Sequence, residues 1–142
     1  MKHKTSDLTG ALLDAAVAKA EGLPVHPGRD RFVVADSIDT GYADQIAPSR
    51  IPGHADPIID RERISVRWLS AVRPGEIEDL AGPWVAHVFK PTATPVMMRG
   101  AAMSDPTIGE PQGLHIYRSG PTRLIAAMRA FVTAKLGDEV DL

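Results

Sequence analysis

The chain of 142 residues contains no cysteine. That excludes disulfides, thiolate nucleophiles and cysteine-based zinc or iron–sulfur centres together, and it fits a reducing compartment. Long apolar runs are missing too: no stretch approaches the roughly 18–20 residues that a membrane-spanning helix needs. The opening MKHKTSDLTG leads into alanine-rich amphipathic sequence broken by Asp14, Lys19 and Glu21, so the uninterrupted apolar stretch of a signal peptide is absent. The expectation is a cytoplasmic protein with no membrane partner. A large excess of either charge is also lacking, and a net charge of -2 argues against indiscriminate nucleic-acid binding. Nor is there a G-x-S-x-G elbow, an S-x-x-K pair, a P-loop or a G-x-G-x-x-G turn.

What is present suffices for one domain, residues 1–142, with 44% apolar residues. A chain of this size buries about 68–70% of its unfolded surface, so a core forms without covalent staples. The basic residues are skewed to eleven Arg against five Lys. Arginine's planar fork suits carboxylates and phosphates, although a GC-rich genome produces the same bias. Twelve Gly and twelve Pro predict a chain rich in turns.

The spacing predicts a first helix over Thr9–Glu21, with Thr9 as N-cap, Leu12, Leu13, Ala16, Val17 and Ala20 on one apolar face, and Gly22 as the stop. Residues 23–26 read as a short edge strand, because Pro24 cannot donate to a ladder, and 31–37 as a fuller one. Residues 41–57 carry three Pro and two Gly without a period and read as a long loop. In 63–70, Ile64, Val66 and Trp68 alternate with Arg63, Ser65 and Arg67, the pattern of a half-buried antiparallel strand with Trp68 in the core. Residues 82–90 are apolar on both faces and read as a central strand, followed by a Pro/Gly/Met-rich stretch, 91–113, with a short strand candidate at 96–98, and a last strand at 114–118. A closing helix runs from about Thr122 to Leu136, with Leu124, Ile125, Met128, Phe131, Val132 and Leu136 as a continuous stripe, before an acidic tail. The fold class is therefore α+β: a small, mainly antiparallel sheet packed by an N-terminal and a C-terminal helix, with long Gly/Pro-rich loops.

The densest charged segment is Pro57-Ile-Ile-Asp60-Arg61-Glu62-Arg63-Ile64. Read as a strand, it projects Arg61 and Arg63 from one face, where they can grip one anion; the plainer reading is a solvated strand edge. Asp60 and Glu62 each sit beside an Arg that holds them ionised, which opposes an acid/base role. His87 and His115 lie in separate strands and converge if those strands pair, so a site of two His with a carboxylate stays open, against partnered or solvent-facing histidines. Trp84, after Gly82-Pro83, suits a pocket wall or an oligomer interface, and Tyr42 sits in the irregular loop. Tyr42, Arg61, Arg63 and Trp84 are the candidate ligand-binding residues, of types that stack on a base and hold an anion. No catalytic residue, metal ligand or cofactor is assigned.

Four segments carry a resemblance: MKHKTSDLTGALLDAAVAKAEG (1–22), PIIDRERISV (57–66), PWVA (83–86) and GPTRLIAAMRAFVTAKLGDEVDL (120–142). Together they resemble the NinX-like family of small proteins from lambdoid and related phages, a family without an assigned function. Its members typically have a Trp and a Gly-Gly pair just before the central Pro-Ile-Ile; here Ser49-Arg-Ile-Pro-Gly-His54-Ala-Asp56 stands there without a Trp. The resemblance implies phage or prophage origin, an accessory role, and the cytoplasm of a bacterial host. The resulting expectation is a non-enzymatic homo-oligomer that binds a host protein or a small anionic, nucleotide-like ligand. The alternative is a small metal-assisted hydrolase using His and Asp residues.

Overall fold

The computed structural model describes residues 1–23, 25–27, 33–36, 43–69, 82–91 and 113–142. In chain order these form β1 (Lys2–Lys4), a 3-10 turn (Thr5–Asp7), α1 (Gly10–Ala20), β2 (Val25–Pro27), β3 (Val33–Asp36), β4 (Ala43–Ile46), α2 (Pro52–Glu62), β5 (Ser65–Trp68), β6 (Trp84–Pro91), β7 (Gly113–Gly120), α3 (Arg123–Leu136) and β8 (Glu139–Asp141). The strands pair antiparallel, in the orders β2-β3-β4 and β5-β6-β7, with β1 against β8. The α+β class read from the sequence is the one observed.

The closing helix is the centre of the fold. Thr122 caps it, its hydroxyl accepting from the Ile125 amide at 3.2 Å, and Gly137 ends it at φ 92°. Ten of its fourteen residues are buried, from Leu124 to Ala134, so α3 is covered on every side. The β5-β6-β7 sheet packs on it, as do α1 and α2, and its alanines at 126, 127, 130 and 134 let those neighbours approach closely. The sheet's inward face supplies Ala86 and Val88, with Val66, Trp84 and Ile116 at the margin of the same core. Backbone approach is closest where β6 begins. A Cβ on Gly82, at φ 150°, would meet the Gly120 carbonyl at 2.2 Å, so the chain enters the sheet there only without a side chain.

Two polar groups are buried within α3. Arg129 donates from Nε to the Leu8 carbonyl at 2.9 Å and from Nη1 to the Ser119 carbonyl at 2.8 Å, linking the residue before α1 to the end of β7. Burial lowers its pKa, opposed by the charge of Asp7. Thr133 accepts or donates across 2.9 Å to Thr5, which lies in the 3-10 turn.

Several expectations are corrected. The segment 41–57 is not one loop: β4 occupies 43–46 and α2 begins at Pro52. Proline at the start of α2 is favourable, and Ala55, Ile58 and Ile59 repeat at helical spacing and are buried, which outweighs the backbone bond that Pro57 cannot make. Arg61 therefore stands in the last helical turn, and Arg63 follows as a left-handed C-terminal residue at φ 53°, so the two do not share a strand face. Trp68 is 49% exposed rather than core, because it sits at the end of an edge strand opposite Trp84 and packs edge-on against that ring. Leu12, assigned to the inner face of α1, is exposed, while Asp14 is buried. The acidic tail is strand β8, paired with β1. The strand candidate at 96–98 lies outside the described residues.

Replacing Arg129 by Lys, which has one donor group and no fork, strands at least one buried carbonyl. We expect a loss of about 1–3 kcal/mol in urea unfolding; an unchanged midpoint would show that the two carbonyl contacts contribute nothing.

Candidate binding face

Alternation along β6 divides the sheet into two faces. Trp84, Ala86 and Val88 point at α3; Val85, His87 and Phe89 point away. The register fixes what meets on the outer face: Ser65 lies opposite His87 and His87 opposite Tyr117, with Phe89 opposite His115 one step along. The expected convergence of His87 and His115 is thus realised. His87 Nε2 and His115 Nδ1 are 2.9 Å apart, so one nitrogen carries the hydrogen and the other accepts it.

The two imidazoles meet edge to edge rather than face to face. Their planes differ by only 14°, and the centroids, 5.1 Å apart, exceed the N···N distance by about the width of one five-membered ring. The pair behaves as one flat double ring. Tyr117 covers a face of His87 at 4.6 Å and 23°, and Phe89 tilts against His115 at 5.1 Å. His115 is exposed, while His87, Tyr117 and Phe89 are partly so. At the other end of the face Val85 is buried between Arg67 and Ser119 in the register.

The four sequence candidates do not assemble. Tyr42 lies outside the described residues. Arg61 is paired to Glu21 and, at 3.1 Å, to Glu62, with Phe131 beneath its guanidinium at 5.9 Å. The Glu21 contact comes first in raising its pKa, so its charge is fixed and already neutralised in part. Lys135 reaches the same Glu62 at 3.4 Å. Arg63 is exposed at the head of β5, whereas Trp84 lies opposite Trp68 at its tail, and Ser65 to Trp68 alone spans about 10 Å. Trp84 and Trp68 instead form an apolar corner, with centroids 5.0 Å apart at 82°. Arg67 shares the outer face with His87, but Arg61, in the last turn of α2, does not join it.

Sequence reasoning missed Asp14. It accepts from the Ser49 amide at 2.8 Å, tying α1 to the turn before α2. Its other oxygen has Arg50 at 3.9 Å and, like the Ser49 hydroxyl, no hydrogen-bond partner among the described residues. Burial raises the carboxyl pKa, countered by the Ser49 amide hydrogen bond and by the charges of Arg50 and His54. An acidic residue spaced like the apolar ones on α1 was the only available signal.

Among the described residues no three His, Asp or Glu side chains gather as a metal set, and no helix is long and apolar enough to cross a membrane. No protein-family model matches the chain, and no curated protein matches it.

Two predictions follow from this geometry. Because the folded state raises the Asp14 pKa, it retains a proton that the unfolded chain releases; stability falls as pH rises from the ordinary aspartate value through the raised one. Asp14→Asn keeps the acceptor for Ser49, so its urea midpoint should lose less than that of the wild type between about pH 4 and pH 7; parallel profiles would refute this. Arg63→Gly relieves the left-handed backbone and should add about 1 kcal/mol of stability, checked by the same unfolding curves.

Proposed function

We propose that this chain is a binding protein, not an enzyme, and that it receives a planar, nucleotide-like ligand on the outer face of β5-β6-β7. The observation that carries this reading is the continuous ring surface of Tyr117, His87, His115 and Phe89, presented by two paired strands. Rigid strands hold the rings in register, so little order has to be imposed when a base stacks on them. Imidazole N–H groups donate hydrogen bonds to phosphate oxygens, which suits a phosphate-bearing ligand. Arg67 on the same face adds a cationic group.

The resemblance to NinX-like proteins supports placing this role in a phage or prophage accessory protein acting in the cytoplasm of a bacterial host. The exposed corner of Trp68 and Leu69 supports self-association or docking of a host protein, away from the rings. The metal-assisted hydrolase would also draw on His87 and His115, but among the described residues no third His, Asp or Glu gathers with them as a metal set, so binding is the reading we carry.

The test is a titration with nucleotides, cyclic dinucleotides and ADP-ribose derivatives in the presence of a chelator, followed by the imidazole resonances of His87 and His115. We expect saturable shifts with one ligand class, and about tenfold weaker binding in Tyr117→Ala, the effect of removing one base–aromatic stack. If no class gives a thermal shift, and denatured protein releases no bound species, the reading fails.

A further inference from the structure

We propose that His87 and His115 form a two-imidazole site for a borderline divalent transition-metal ion, of the Zn2+, Ni2+ or Cu2+ type. The inference needs no organic ligand and rests on the meeting of two nitrogens. His87 Nε2 and His115 Nδ1 face each other across 2.9 Å on adjacent strands of one sheet. Two imidazoles bound tetrahedrally to one zinc, at about 2.0–2.1 Å each, have their nitrogens about 3.3 Å apart. The pair is therefore within a few tenths of an ångström of chelating distance. What must change is angle: the rings meet edge to edge, and each has to turn about χ2 so that both lone pairs point to a common centre. That torsion is broad for histidine, and the backbone need not move.

The chain also supplies what orients such ligands. Tyr117 lies on one face of His87 and Phe89 leans on His115, so each ring has an aromatic neighbour to rest against as it turns. Binding requires no net loss of a proton from the neutral pair. The hydrogen between the two rings moves, through solvent, to the distant nitrogen of the same imidazole, leaving both facing nitrogens as acceptors. His115 is exposed, which gives the ion a path in and leaves positions in its shell for water or an anion. Soft thiolate chemistry is excluded by the absence of cysteine, which confines the class to ions that imidazole suits.

The experiment titrates ZnCl2, and separately NiCl2, into chelator-stripped full-length chain by calorimetry at neutral pH. We expect one equivalent, and at least about a tenfold loss of affinity in both His87→Ala and His115→Ala. His3→Ala, remote in β1, should bind as the wild type does. Circular dichroism checks that each variant is folded, and His87→Gln replaces His87→Ala if the smaller side chain unfolds the sheet. Absence of a stoichiometric site overturns the proposal, and so does binding that survives loss of His115. Since the nucleotide titration is run in chelator, failure of the metal site leaves that reading standing, and failure of nucleotide binding leaves the metal site standing.

Discussion

One buried guanidinium decides how the parts of this molecule are joined. Arg129 sits inside the central helix and reaches two backbone carbonyls that belong to different layers, Leu8 before α1 and Ser119 at the end of β7. A charge taken out of water is costly unless its hydrogen bonds are replaced, and here two carbonyls replace them while Asp7 supplies compensating charge. The consequence is registry. The N-terminal helix, the central helix and the sheet each have one position in which the fork is satisfied. Thr5 and Thr133 repeat the same linkage one helical turn further along. Apolar packing of Met128, Phe131 and Val132 supplies the larger driving force, but that force is not directional and would tolerate sliding.

The elements that were legible in the sequence are those whose pattern and partner agree. The stripe from Leu124 to Leu136 and the apolar run of 82–90 each announce a buried element, and each is one. Residues 52–62 failed because Gly53 and Pro57 are strong breakers locally, whereas burial of Ala55, Ile58 and Ile59 against α3 is a tertiary effect that no local window contains. With the helix missed, Arg61 and Arg63 were placed on a strand face that does not exist. Trp68 followed the alternation, but alternation cannot say where a sheet ends. The last three-residue strand was invisible for a related reason: its partner is at the other end of the chain.

Of the binding face, the residue types and their strands were readable, and so was the conditional statement that His87 and His115 meet if those strands pair. The register was not. It is set by the β6–β7 pairing across a long intervening segment, and a slip of one residue would have turned His115 to the inner face. The sheet thus separates two kinds of chemistry within 3 residues of β6: Ala86 and Val88 stabilise the core, while His87 between them lies on the outer face against Tyr117.

The pairing of β1 with β8 gives the molecule a particular mechanical character. Lys2 lies opposite Asp141 and Lys4 opposite Glu139, and the Met1 ammonium reaches the Asp141 carboxylate at 2.8 Å, so both ends leave the ribbon on the same side. A force that draws residues 1 and 142 apart acts on one bridge at a time, as a zip opens, and meets little resistance. The next bonds in line are those of Thr5 to the Asp138 carbonyl, with Thr133 just behind. Tension on the ends is therefore passed to the central helix only after the ribbon has peeled, which makes the β1–β8 pair a fuse placed ahead of the core.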